Sequence, residues 1–121
     1  MEIKPLEHRF SVCKVRDYSQ VNFQEEFCFT GRTDEEFSLV CQTDHVPENT
    51  AERDDGWKAF RIQGILDFSL IGILSGITAL LADHNIGIFA ISTYNTDYIL
   101  TKEEHFKRAL EILAASGYKV G

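Results

Sequence analysis

The stretch from Ile86 to Leu100, IGIFAISTYNTDYIL, constrains the fold more than any other part of this chain. Its apolar run, Ile86 to Ile91, breaks into a polar segment, Ser92 to Asp97, and returns to apolar at Tyr98. A run that is apolar at successive positions predicts a central strand buried on both faces. The polar segment then reads as a turn, and Tyr98–Leu100 as a short returning strand. Upstream, Leu70, Ile73, Leu74, Ile77, Leu80 and Leu81 recur at helical spacing and predict a helix over Leu70–His84. Ser69 stands where an N-cap belongs, and Asn85 stands where a left-handed residue would stop the helix.

The flanking segments complete a pattern. Trp57 to Ile62 alternates as a strand should, with Trp57, Ala59 and Arg61 opposite Lys58, Phe60 and Ile62. Thr101, with Glu104 three places on, predicts a capping box that opens a last helix. Phe106, Ala109, Leu110 and Leu113 form the apolar stripe of that helix, Gly117 ends it, and Tyr118–Val120 adds an edge strand. Residues 57–121 thus read β-α-β-β-α-β, an α/β (α+β) ferredoxin-like plan with helices on one face of an antiparallel sheet.

Residues 1–56 read as a trimmed version of the same plan. Strands are expected at Phe10–Val15, Glu26–Arg32 and Phe37–Cys41, with a hairpin turn at Thr33-Asp34-Glu35. Asp17–Phe23 is a polar connection with room for one helical turn. Thr43–Gly56 contains Pro47, several charges and no periodicity, and reads as a linker. Phe29–Asp34 can be laid on Ile91–Thr96, and Phe37–Leu39 on Tyr98–Leu100, if a gap is allowed.

Composition excludes several function classes. Apolar residues make up 44% of the 121 residues, enough for a core, and the formal net charge is −7. That charge disfavours a phosphate-neutralising surface, so neither nucleic acid nor an anionic membrane is an expected partner. Met1–Phe10 holds several charges and no signal-like apolar region, and no apolar run is long enough to span a bilayer. The three cysteines, Cys13, Cys28 and Cys41, include no CxxC pair and read as reduced, partly buried thiols of a cytoplasmic protein. His8, His45, His84 and His105 lack metal-ligand spacing, so neither a metal nor a cofactor is expected. His84 falls at the end of a predicted helix, beside its negative dipole. Nothing pairs two carboxylates as general acid and base, and no catalytic residue is assigned.

Trp57, the segment Gly64-Ile65-Leu66-Asp67-Phe68-Ser69-Leu70-Ile71-Gly72 and the segment Ile91-Ser92-Thr93-Tyr94-Asn95-Thr96-Asp97-Tyr98 resemble small bacterial ACT-domain proteins of the CASTOR-like, tandem ACT family. Val12-Cys13 and Arg32–Cys41 extend the resemblance over nearly the whole chain. The resemblance implies two ACT-like units in tandem, the first truncated. It also implies a regulatory role without catalysis, in which an amino acid or other small ligand binds between paired domains and the protein is at least a homodimer. The chain departs from the family pattern at Asn95, where an acidic or small residue is usual, and that position bears on ligand preference.

The candidate ligand site comprises Asp67, Phe68, Ser69, Leu70, Gly72, Ser92, Thr93, Asn95, Thr96 and Asp97. Backbone amides from Ser69 to Gly72, at a helix N-terminus, would meet a ligand carboxylate. Asp97 or Asp67 would pair with an ammonium, and Ser92, Thr93 and Thr96 would supply hydroxyls. The same residues also fit a plainer role, with Ser69 as a cap, Gly72 and Gly76 as packing positions, and the aspartates as turn formers. Trp57 and Tyr94 either cover a ligand or pack. Arg61 reads as a surface or edge residue. The competing reading of the whole chain is a ligand-free homo-oligomerisation or protein-interaction module.

Overall fold

The computed structural model describes residues 2–63 and 72–121. The expected cap at Ser69, the start of the predicted helix at Leu70, and Asp67 and Phe68 lie outside the described residues. The chain forms two compact units, one of Met1–Glu7 with Lys58–Gly121 and one of His8–Trp57. Two long strands, β1 (Glu2–Val15) and β4 (Thr50–Gln63), run through both.

The larger unit has the expected order: the end of β4, then α1 (Ile73–Asp83), β5 (Phe89–Ser92), β6 (Asp97–Lys102), α2 (Glu103–Ala115) and β7 (Lys119–Val120). Its strands follow one another as β5-β6-β4-β1, and β7 pairs parallel with the start of β1 through Glu2↔Lys119 and Ile3↔Val120. Both helices contribute to one core with the sheet: Ile77 and Leu81 from α1, Phe106, Ala109 and Leu113 from α2, and Ile3, Phe60, Ile62 and Ile99 from the strands. The apolar stripes read from helical spacing are therefore the faces that pack.

Both helices stop as their sequences predict. Asn85 takes φ 59°, with its N–H on the Ala82 carbonyl (2.9 Å) and the Ile86 N–H on Leu81 (3.0 Å). Gly117 takes φ 98°, with its N–H on Ala114 (3.1 Å) and the Tyr118 N–H on Leu113 (3.1 Å). These are Schellman closures, in which a left-handed residue lets the chain satisfy the last carbonyls. His84 is the C-cap of α1, and its Nδ1 lies 2.9 Å from the Leu80 carbonyl.

Two local expectations are corrected. The run from Ile86 is not a doubly buried central strand: β5 begins only at Phe89, ends the strand order, and alternates half-buried with exposed. Ile86 is buried because it closes α1 against Leu81, so its apolarity serves the helix end rather than a strand. The central member of the hairpin is β6, where Ile99, Leu100 and Thr101 are all buried. Thr101 does not open a capping box either. It is the buried penultimate residue of β6, Lys102 is the N-cap of α2, and no side chain caps that helix.

The smaller unit follows the strand order β2-β3-β1-β4, with β2 (Phe29–Arg32) and β3 (Phe37–Gln42) antiparallel to each other and β3 antiparallel to β1. Cys13, Val15, Leu39 and Cys41 form its core, against which Tyr18, Val21 and Cys28 pack. All three cysteines are free. The Cys41 thiol hydrogen-bonds to Cys13, which holds the Cys13 pKa below its usual value and pushes that of Cys41 up, while burial alone raises Cys28.

The supposed linker is also corrected, because Thr50–Gly56 is the first half of β4 and only Thr43–His45 is a 3₁₀ turn. This half-strand lacks an apolar face and is secured by polar contacts instead. The fully buried Ser11 hydroxyl donates to Asp55 and lies 3.0 Å from Thr43 Oγ1, and Arg53 Nε and Nη2 each reach Asp55 Oδ1 at 3.0 Å.

Candidate functional site

The polar segment after β5 is a tight hairpin. Ser92 pairs with Asp97 at its base, and the Thr93 N–H donates to the Thr96 carbonyl at 2.9 Å. Thr93 Oγ1 also donates to that carbonyl (2.8 Å) and accepts the Thr96 N–H (3.3 Å). Thr96 Oγ1 donates to the Ile62 carbonyl of β4 at 2.6 Å. Two of the three hydroxyls expected to face a ligand are thus engaged with backbone, as turn-forming threonines commonly are. Ser92 and Asn95 are exposed and make no side-chain hydrogen bond among the described residues, and Asp97 is half-buried. Tyr94, at the tip, is 88% exposed.

The structure therefore gathers Ser92, Thr93, Asn95, Thr96 and Asp97 in one turn. Gly72 stands at the start of α1 with φ 89°, and its carbonyl accepts the Gly76 N–H at 2.8 Å. Among the described residues, no side chain caps this helix and its first turn holds no acidic residue. Asp67, Phe68, Ser69 and Leu70 lie outside the described residues.

Sequence reasoning missed one group beside the hairpin. Arg61 is half-buried in β4, with Nε donating to Gln63 Oε1 at 2.8 Å and Nη1 to Tyr98 Oη at 3.5 Å. The signal was present as an i, i+2 pair of long polar side chains on a strand whose other face is Phe60 and Ile62.

The hairpin of the smaller unit repeats this geometry sixty residues earlier. Phe29↔Val40 and Arg32↔Phe37 correspond to Phe89↔Leu100 and Ser92↔Asp97. The Thr33 N–H donates to the Glu36 carbonyl at 3.0 Å, as Thr93 does to Thr96. The correspondence needs no gap and pairs Phe29 with Phe89, which corrects the sequence alignment of Phe29 with Ile91. The residues before the 3₁₀ turn and before α2 match as well, Gln42 with φ, ψ of −59°, 138° and Lys102 with −61°, 143°.

The smaller unit also has a cavity of about 10 Å³ beside Cys28, Leu39 and Cys41, room for about one water and none for an amino acid. Among the described residues, no three His, Cys, Asp or Glu side chains form a group able to hold a metal ion. No helix among them is long and apolar enough to cross a membrane.

Solved structures with the same fold span almost the whole chain. An Agrobacterium tumefaciens protein, Atu0741, is 27% identical with a TM-score of 0.88, covering 99% of this chain and 91% of its own. A Vibrio cholerae protein of unknown function, described as a possible transport protein, is 19% identical with a TM-score of 0.74, over 94% and 88% of the two chains. The regulatory subunit of aspartate kinase from Thermus thermophilus, in ligand-free form, is 10% identical with a TM-score of 0.67, over 97% of both chains. No curated protein matches the chain. The family model for the ACT domain matches residues 52–115, from β4 to the end of α2, which is more than half of the sequence. The chain belongs to the ACT domain family, whose members are regulatory domains.

Proposed function

We propose that this protein is a small-molecule sensor, most readily for an amino acid, whose ligand meets the hairpin at Ser92–Asp97 and the segment Asp67–Gly72. The observation that carries this reading is the hairpin itself, a hydrogen-bonded turn with exposed Ser92 and Asn95 and a half-buried Asp97. Asp97 is the partner for a ligand ammonium, and Ser92 and Asn95 supply neutral polar contacts. Thr93 and Thr96 hold the turn in shape, and the N-terminus of α1 offers the complement to a carboxylate. The role is regulatory and non-catalytic, the ligand acting through self-association or a partner protein. We read the smaller unit as a shortened repeat, in which one 3₁₀ turn stands where α2 stands in the larger unit.

Thermal-shift screening against the common amino acids tests the proposal. Binding at micromolar to millimolar concentration raises the melting temperature. A flat response across the panel, repeated by calorimetry, refutes it.

One observation favours the second reading, a ligand-free homo-oligomer. Among the described residues, strand β5, Phe-Ala-Ile-Ser, ends the strand order and holds neither a charge nor a proline, the devices that commonly keep an edge from pairing with another copy. Sedimentation with and without amino acids separates the two readings: a dimer unaffected by any ligand supports the second.

A further inference from the structure

The proposed site uses the turn, but a second group of donors lies on the other side of the sheet. Along β4, Phe60 and Ile62 face the helices, so Arg61 and Gln63 face away from them; along β6, Ile99 faces the helices and Tyr98 faces away. The hydrogen bonds of Arg61 to Gln63 and Tyr98 join these three side chains on that helix-free face. Ala59 and Leu100, one step farther from the hairpin on the same face, are each 1% exposed. The Arg61 group therefore lies at the rim of a covered apolar patch, where charge is screened less than in open solvent.

We propose that Arg61 and Gln63 form an anion site on this face, which takes the carboxylate of a small molecule. A guanidinium has five N–H donors and no acceptor, and here two of them are used by neutral partners. No aspartate or glutamate forms an ion pair with Arg61 among the described residues, whereas Arg53 has Asp55 at 3.0 Å. Gln63 turns its carbonyl oxygen to Arg61, which leaves its amide N–H₂ directed elsewhere. Among the described residues, the group thus offers a fixed positive charge and further donors but no acidic acceptor. A planar anion with two oxygens is its chemical complement, because the guanidinium fork matches carboxylate geometry. Ile62, between these two residues, receives the Thr96 hydroxyl, so the site is tied to the base of the same hairpin without sharing its exposed residues.

The test is a titration of ¹⁵N-labelled protein with sodium acetate, against acetamide and against sodium chloride at matched ionic strength, followed through arginine Nε–H and glutamine side-chain resonances. Acetate is expected to shift the Arg61 and Gln63 signals saturably, while acetamide and chloride do not. R61Q abolishes the saturable Gln63 shift, and R61K weakens it several-fold, because a lysine keeps the charge and loses the fork. The proposal is overturned if acetate moves neither signal saturably, or if R61Q leaves the Gln63 shift intact. An amino acid that moves the backbone amides of Ser92 and Asn95 but not Arg61 leaves the proposed function standing and overturns this site. Saturable acetate binding at Arg61 with no amino-acid response does the reverse.

Discussion

Replacing Thr96 by valine separates the two roles that its hydroxyl was assigned. The side chain donates to the Ile62 carbonyl at 2.6 Å, a short contact between the hairpin and β4 in a partly buried setting. Losing a hydrogen bond of this kind costs about 1 kcal/mol net. Valine adds a second effect, because a methyl carbon cannot approach a carbonyl oxygen that closely. The side chain must rotate, or the turn must move by a few tenths of an ångström, at a further cost of about 0.5–1 kcal/mol for an off-rotamer side chain. The sum, about 1.5–2 kcal/mol, corresponds to a fall in melting temperature of about 5–10 °C for a domain of this size. Thr96→Ser keeps the hydroxyl and is expected to lose less than half as much. Urea denaturation of the three proteins, with unchanged m-values, measures the differences. Ligand affinity in Thr96→Val, measured by calorimetry below the melting transition, is expected to stay within about threefold of wild type, since a change under ~0.7 kcal/mol is all that a slightly shifted turn requires. A valine variant as stable as wild type but unable to bind ligand would refute the reasoning, because the hydroxyl would then serve the ligand rather than the fold.

Three further outcomes follow from named contacts. Asp97→Ala should weaken binding of an ammonium-bearing ligand about tenfold or more, the loss of one charge-assisted contact, with the melting temperature nearly unchanged; unaltered affinity sinks the assignment. Gly117→Ala places a side chain at φ 98° with no atom within 4 Å of the new Cβ, so backbone strain alone should cost about 1–2 kcal/mol, read from the urea midpoint. Asp17 accepts hydrogen bonds from Ser19 and from Asn49 Nδ2 (3.1 Å), which hold its carboxyl pKa below the usual value. The folded state therefore favours the ionised form. Its contribution is present above the unfolded carboxylate range near pH 4 and is lost as pH falls through the lower folded value. Asp17→Asn should flatten the acid limb of the stability curve, and an unchanged limb would assign that slope to other groups.

The parts of the fold that were legible are those set by local chemistry. Asn85 and Gly117 announced their helix ends because few residues accept a left-handed conformation, and Phe106, Ala109 and Leu113 announced a packed face by spacing. What stayed hidden depended on partners distant in sequence. The start of β1 carries Pro5 and scattered charges, and its buried residues, Ile3 and Leu6, do not alternate, so nothing local marks it as a strand. Thr50–Gly56 is a strand without an apolar face, held by contacts such as that of Ser11 with Asp55, 44 residues apart. The run at Ile86 misled because helix closure and strand burial both demand apolar residues. At the site, the turn was readable, but which hydroxyls were already engaged was not, since the Thr96 acceptor lies 34 residues away.

The duplicated hairpin bears on how many ligands one chain can hold. Both copies close with a threonine N–H on the carbonyl three residues later, so the backbone alone would permit two equivalent sites. Their side chains differ at the base. Arg32 and Phe37 occupy the positions of Ser92 and Asp97, and the Arg32 guanidinium lies over the Phe37 ring at 4.9 Å. Tyr18 meets the same ring edge-on at 5.3 Å and donates its hydroxyl to the Ser38 carbonyl at 2.8 Å. A cation–π contact and an aromatic pair, each worth about 0.5–1.5 kcal/mol, thus fill the first hairpin with its own side chains. Phe37 at the Asp97 position carries no charge, so the first hairpin lacks the carboxylate at its base that is proposed to meet the ammonium, and its own carboxylates, Asp34, Glu35 and Glu36, lie in the turn instead. Calorimetric titration with any amino acid that binds should therefore give a stoichiometry of one per chain at the hairpins, unchanged by Phe37→Leu, while Asp97→Ala weakens that one site. Two equivalent sites per chain, with one abolished by Phe37→Leu, would mean that backbone geometry rather than the residues at the base selects the ligand.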